Sequence, residues 1–147
     1  MAQAQLNGIE AENEIGICTL GVDLGTSGLR CVIMEAATGV ILDSAQSTPY
    51  SVDCPVSGSS GWREQHPSVW CEAFREAVSD LRKRRPHLLA KVVSLAVAGH
   101  MHGAVCLDKN GHVLRPCILW NDTRAAEEAR ALDSYHSDTS DTTDSGS

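Results

Sequence analysis

The sequence predicts a mixed α/β fold, and three observations carry that reading. Short apolar runs near the N-terminus, Ile17–Val22, Leu29–Ala36 and Val40–Thr48, are separated by Gly-containing turns, the pattern of strands joined by hairpins. After them, Val69, Trp70, Phe74, Ala77, Val78 and Leu81 recur at spacings of three and four, which marks an amphipathic helix over residues 69–85. A further apolar run, Val92–Ala98, then reads as a buried strand. At 147 residues the chain has room for one domain and a modest core.

Residues 1–14 are polar and unpatterned and read as a flexible lead-in. The first strand stops at Asp23, and Gly25-Thr26-Ser27-Gly28 follows as a turn with a permissive glycine at each end. Thr38-Gly39 supplies the next turn, so the first three strands should form an antiparallel meander. Residues 49–61 are a loop rich in Ser, Gly and Pro, and Pro86 ends the long helix. Farther on, Gly103–Leu107 reads as a strand closed by the Asp108-Lys109-Asn110-Gly111 turn. His112–Leu119 continues extended, and Thr123–Leu132 forms a short helix. From there Ser, Thr, Asp and Gly dominate, a composition that buries nothing. The organisation is therefore a lead-in (1–14), a folded domain (15–132) and a disordered acidic tail (133–147).

Composition excludes several partners. Aromatic residues are 4% of the chain and the formal net charge is −7, neither of which suits a nucleic-acid binder. The cysteines, Cys18, Cys31, Cys54, Cys71, Cys106 and Cys117, show no pair at the spacing of a redox or zinc motif. Most lie in apolar runs, where a free thiol behaves as a small hydrophobe. The N-terminus lacks the basic start and apolar core of a signal peptide, and no run nears the ~18 apolar residues a bilayer span requires. The expectation is a reduced, soluble, cytoplasmic protein.

Three segments could carry chemistry. Asp23 at a strand end, followed by the Gly25–Gly28 turn, could place backbone N–H groups against a phosphate and a carboxylate near its Mg²⁺. The plain alternative is a hairpin turn with an Asp cap. Ala98-Gly99-His100-Met101-His102-Gly103 puts polar groups at a strand end between glycines; His102 could bond a sugar hydroxyl while Met101 packs on the carbon chain. A metal at His100 and His102 finds no third ligand at a helpful spacing, and structural histidines remain open. Finally, Trp120-Asn121-Asp122 ends an apolar run and precedes Arg124, giving an aromatic wall, an amide and a carboxylate suited to a polyol. Here the alternative has Asn121 or Asp122 capping the next helix and Trp120 packed in the core. Trp62, Arg63, Glu64 and Gln65 read as cap and loop.

Taken in order, Asp-Leu-Gly-Thr-Ser-Gly, Glu-Gln-x-Pro with Trp70, Ala-Gly-x-Met-His-Gly and Arg-Pro-x-Ile-Leu-Trp-Asn-Asp-x-Arg resemble the start of the FGGY carbohydrate kinases, on their xylulokinase side. The resemblance covers roughly Ile15–Leu132. It implies part of an actin-like, ribonuclease H-like N-terminal lobe, with ATP and Mg²⁺ as cofactors and a small sugar as partner. The implied reaction is γ-phosphoryl transfer to a ketopentose, D-xylulose giving its 5-phosphate, and the full-length enzyme is open to a homodimer. Matched by position, Asp23, Gly25, Thr26, Ser27 and Gly28 fall in the phosphate and Mg²⁺ region, with Asp23 acting on the metal indirectly. Met101, His102, Asn121 and Asp122 fall on sugar positions. Two residues depart from the family pattern: His100 stands where Gln is usual, and His66 where Asp is usual. The family's catalytic-base Asp and adenosine lobe have no counterpart here, so no catalytic residue is expected in this chain. A non-catalytic sugar-binding or regulatory fragment, or a truncated gene product, is the competing expectation.

Overall fold

A computed structural model describes residues 15–52 and 61–140. The lead-in 1–14, the segment 53–60 with Cys54, and residues 141–147 lie outside the described residues. The elements are β1 (Cys18–Leu24), β2 (Leu29–Glu35), β3 (Ile41–Gln46), β4 (Glu64–Gln65), α1 (Pro67–Arg84), α2 (Pro86–Ala90), β5 (Val92–Gly99), β6 (Cys117–Ile118) and α3 (Ala126–Ser140). The described residues fall into two compact units, the first within Met1–Ser51 and His66–Met101 and the second within Val52–Gln65 and His102–Ser147.

In the first unit the expected meander is present: β1 pairs antiparallel with β2, and β2 with β3. β5 joins β1 in parallel, giving the strand order β3-β2-β1-β5. Alternation along the strands sends Cys18, Leu20 and Val22 of β1, Leu29, Cys31 and Ile33 of β2, and Ala45 of β3 into one core. Ala73, Ala77 and Leu81 of α1 and Leu88 of α2 close it from the same side. α1 starts where sequence chemistry dictates, with Pro67 in the first turn and the His66 side chain accepting from the Ser68 N–H. Its last turn carries Arg82, Lys83 and Arg84, which complement the helix dipole, and Arg84 reaches Asp43 of β3 at 2.6 Å. Pro86 ends α1 as expected, yet it also opens α2, which the sequence reading did not contain.

β5 corrects one expectation. It is a strand, but Val93, Leu95 and Val97 are 65%, 52% and 64% exposed. Its apolar composition suits a strand covered on both faces, whereas here it is an edge strand bonded to β1 alone within its sheet. On the sheet face away from α1, Thr19, Gly21, Val32, Met34, Ile41 and Leu95 line an apolar cleft of about 340 Å³.

The second unit is built on less regular structure. β4 and β6 pair antiparallel, Glu64 opposite Ile118 and Gln65 opposite Cys117. The expected strands Gly103–Leu107 and His112–Leu119 reduce to β6 and the bridges Ala104–Ile118 and Leu107–Val113. Pro116 brings no N–H to a ladder, which limits β6 to the residues after it. Asp108 Oδ1 accepts from the Asn110 and His112 N–H groups, and Gly111 sits at φ 84°, so the expected turn is formed. α3 runs on to Ser140, which replaces the first part of the expected disordered tail with helix. Ala, Glu and Arg dominate its first turns and favour helix strongly, and the Ser134 hydroxyl folds back onto the Ala131 carbonyl. Its residues from Glu127 to Tyr135 are nonetheless exposed.

Cys18, Cys31, Cys71, Cys106 and Cys117 are free thiols. Cys18, Cys31 and Cys117 are buried, and burial pushes the Cys31 thiol up to about 11, so it stays protonated. Cys71 and Cys106 are exposed.

Candidate functional site

Because β1 and β5 run parallel, with Asp23 opposite Ala98 and Leu24 opposite Gly99, their carboxyl ends emerge at one end of the sheet. Open α/β sheets bind ligands at such ends. Asp23 is exposed there, and among the described residues no hydrogen bond or ion pair engages its carboxylate.

The Gly25–Gly28 turn beside it is closed by hydrogen bonds. The Gly25 N–H donates to the Gly28 carbonyl at 2.9 Å, and a Cβ on Gly25 would stand 3.1 Å from that oxygen. Glycine is needed at this position for close approach, since neither turn glycine has a left-handed φ. Tyr50 braces the turn from outside: its hydroxyl donates to the Gly25 carbonyl at 2.7 Å and its N–H to the Ser27 carbonyl at 3.1 Å. Burial, and then the charge of Asp23, push the Tyr50 phenol up, so it remains a donor. The Gly25 N–H is thus taken, so an anion here would draw on the backbone of Ser27 and Gly28. Hydrated Mg²⁺ is held through one or two carboxylates and keeps several waters, so an exposed, unengaged Asp23 beside a fixed turn fits it.

His100 follows β5 at the same sheet end. Its N–H donates to the Leu24 carbonyl at 3.2 Å, its Nδ1 lies 3.3 Å from that oxygen, and its ring meets Trp70 edge-on at 5.3 Å. Met101, next in the chain, is 70% exposed.

The other expected sugar residues belong to the second unit. His102 has φ 66°, the left-handed region that a non-glycine residue enters at a cost. A Cβ on Gly103 would come within 3.0 Å of Cys117 Sγ, so the backbone passes tightly over that thiol. Asp122 is almost fully buried and saturated. Its Oδ1 accepts from the Arg124 N–H and Nε (2.9 Å each), and its Oδ2 from the Arg63 N–H (2.6 Å) and Arg124 Nη2 (2.7 Å). Arg124 Nη2 also reaches Glu64 Oε1 at 2.8 Å, Arg115 meets the same oxygen at 2.5 Å, and the Arg124 guanidinium lies 3.9 Å over Trp62. Hydrogen bonds from Arg124 hold the Asp122 carboxyl far below the usual carboxylate range, against the opposing effect of burial. Among the described residues the buried Asn121 Oδ1 has no hydrogen-bond partner. Trp120, read as an aromatic wall or, in the alternative, as a core residue, is 56% exposed, which disfavours the alternative.

Thus Asp23, the Gly25–Gly28 turn and His100 share one sheet end of the first unit, while in the second unit Asp122 is engaged in a polar network with Arg63, Arg124 and Glu64. Sequence reasoning passed over Tyr50 and the buried Glu64, whose polar neighbours suggested only a loop. The network has a pH consequence. Asp122 unfolded should titrate near ~3.9, above its folded value, so its contribution is complete above that pH and is lost as pH falls towards the folded value. Amide protection across β4 and β6 is therefore expected to hold from neutrality to about pH 5 and to weaken only below ~4. Loss of protection already at pH 6 contradicts this.

Comparison with known proteins gives concordant results. The model of the FGGY family of carbohydrate kinases, N-terminal domain, matches residues 18–145. A xylulose kinase of Escherichia coli K12 is 38% identical over 114 residues, covering 78% of this chain and 22% of that protein. One from Klebsiella pneumoniae is 39% identical over 114 residues, with the same coverage of 78% and 22%. The crystal structure of a xylulose kinase from Brucella ovis superposes with a TM-score of 0.73 at 39% identity, over 82% of this chain and 24% of that one. The chain therefore spans less than a quarter of the length of these relatives. The mixed sheet with its helices is the actin-like fold of those kinases. No helix among the described residues is long and apolar enough to cross a membrane. The chain belongs to the FGGY family of carbohydrate kinases and carries that family's N-terminal domain.

Proposed function

We propose that this chain supplies the phosphate-facing turn and sugar-contacting residues of an ATP-dependent ketopentose kinase, with conversion of D-xylulose to its 5-phosphate as the reaction. The observation that carries the reading is the exposed, unengaged Asp23 beside the braced Gly25–Gly28 turn, at the sheet end that leads into His100 and Met101. Relatives described as xylulose kinases, at 31% to 39% identity, support the choice of sugar.

When bound, ATP with Mg²⁺ supplies the transferable phosphoryl group and neutralises its charge. The chain's own residues do the rest of the local work. Asp23 would be the carboxylate that holds the metal, and the Tyr50 bonds to the turn would keep the turn's backbone oriented towards a phosphate. Met101 offers an apolar wall, and His102 and Asn121 offer polar contacts to hydroxyls; the orphaned Asn121 Oδ1 is an acceptor awaiting a donor. Asp122, with its lone pairs engaged, positions the Asn121 loop. Cytoplasmic location and homodimer formation in the full-length enzyme belong to the same proposal.

Phosphoryl transfer also needs a base for the sugar hydroxyl and a nucleotide pocket, and none of the residues assigned above supplies either. The isolated 147-residue chain is therefore expected to bind without turnover. A coupled ADP-release assay with D-xylulose checks this: sugar-dependent turnover above background contradicts it.

A further inference from the structure

We propose that His100 is a specificity-determining residue of the sugar site, a fixed hydrogen-bond acceptor that selects for a ketose hydroxyl through its Nε2. The inference rests on the reading that Met101 and its neighbours contact sugar. Three observations carry it. His100 stands at the carboxyl end of β5, level with the end of β1 that bears Asp23, so it is at the ligand-binding end of the sheet. Its Nδ1 lies 3.3 Å from the Leu24 carbonyl oxygen, and a carbonyl can only accept, so Nδ1 carries the proton. In the neutral ring Nε2 is then left with a lone pair and no proton. Lastly, the Nδ1 contact with the Leu24 oxygen (3.3 Å) and the edge contact with Trp70 (5.3 Å, 80°) both favour this orientation of the ring.

A positioned acceptor of this kind discriminates by polarity. A hydroxyl placed against Nε2 donates and is bound; a carbonyl, an ether oxygen or a deoxygenated carbon at that place offers no proton and leaves the acceptor unpaired. A side-chain amide at position 100 could turn either end to the ligand and would discriminate less.

The test uses the whole chain with ¹⁵N-labelled histidine and ¹³C-labelled methionine methyls. NMR should show the His100 proton on Nδ1, and added D-xylulose should shift Nε2 in the direction of an accepted hydrogen bond. His100→Phe keeps an aromatic edge for Trp70 and removes the acceptor. With its spectrum still dispersed, it should bind D-xylulose roughly tenfold more weakly. His100→Gln should recover binding while losing discrimination between D-xylulose and its deoxy analogues. A proton on Nε2 in the free chain overturns the proposal, as does wild-type affinity in His100→Phe. If Met101 shifts with sugar and Nε2 does not, the proposal falls while the sugar-site reading stands. If neither shifts at saturating sugar, both fall.

Discussion

Replacing Asp122 by alanine is expected to destabilise the second unit by about 3 kcal/mol, with its effect on sugar affinity secondary. The carboxylate is 3% exposed and accepts from the Arg63 N–H and from Arg124 through its N–H, Nε and Nη2. Removing it strands the Arg63 N–H and leaves Arg124 with Glu64 as its one carboxylate partner among the described residues, so a buried pair is broken without being replaced. The loss stays near the lower end of the usual range because Glu64 continues to compensate the guanidinium. Asp122→Asn should also destabilise, since its NH₂ must face a donor whichever way the amide is turned. Hydrogen exchange across β4 and β6, compared with that of β1 and β2, measures the effect unit by unit. A change below ~1 kcal/mol would mean that these bonds are not maintained in solution.

Asp23→Ala should leave both units folded, because the exposed carboxylate has no partner to lose among the described residues. In a complete kinase containing this chain, kcat is expected to fall by roughly two to three orders of magnitude while the sugar KM stays near wild type. The physical reason is that, in the proposed role, a metal held by Asp23 would act on charge that develops on the transferring group mainly in the transition state, and the sugar would be bound by other residues. Wild-type kcat in this variant would remove Asp23 from the phosphate and metal region, whatever the family match.

The elements legible in the sequence are those with a period. β1, β2 and β3 announced themselves by short apolar runs between glycine turns, and α1 by spacings of three and four ended at Pro86. β4 and β6, of two residues each, are too short to show a period, so the burial of Glu64 and Gln65 could not be read. The composition of residues 133–140 pointed to disorder, while their position after a strong helix former let α3 propagate. The position of Asp23 was legible because a strand end and a glycine turn lie side by side in the chain. The saturation of Asp122 was not, since Arg63 lies far away in sequence and only the fold unites them. Nor was the contact between Trp70 and His100, which joins the start of α1 to the end of β5.

The parallel pairing of β1 with β5 also sets an order in time. β1, β2 and β3 meet across hairpin turns, contacts that close fast because little chain must be gathered. β5 reaches β1 only after α1 and α2 have been laid down, a closure whose equilibrium penalty grows slowly with loop length but which topology makes late. Until then β1, the strand that bears Asp23, has one bare edge of unpaired N–H and C=O groups. During synthesis at the ribosome, that interval is the window in which a foreign strand could occupy the place of β5.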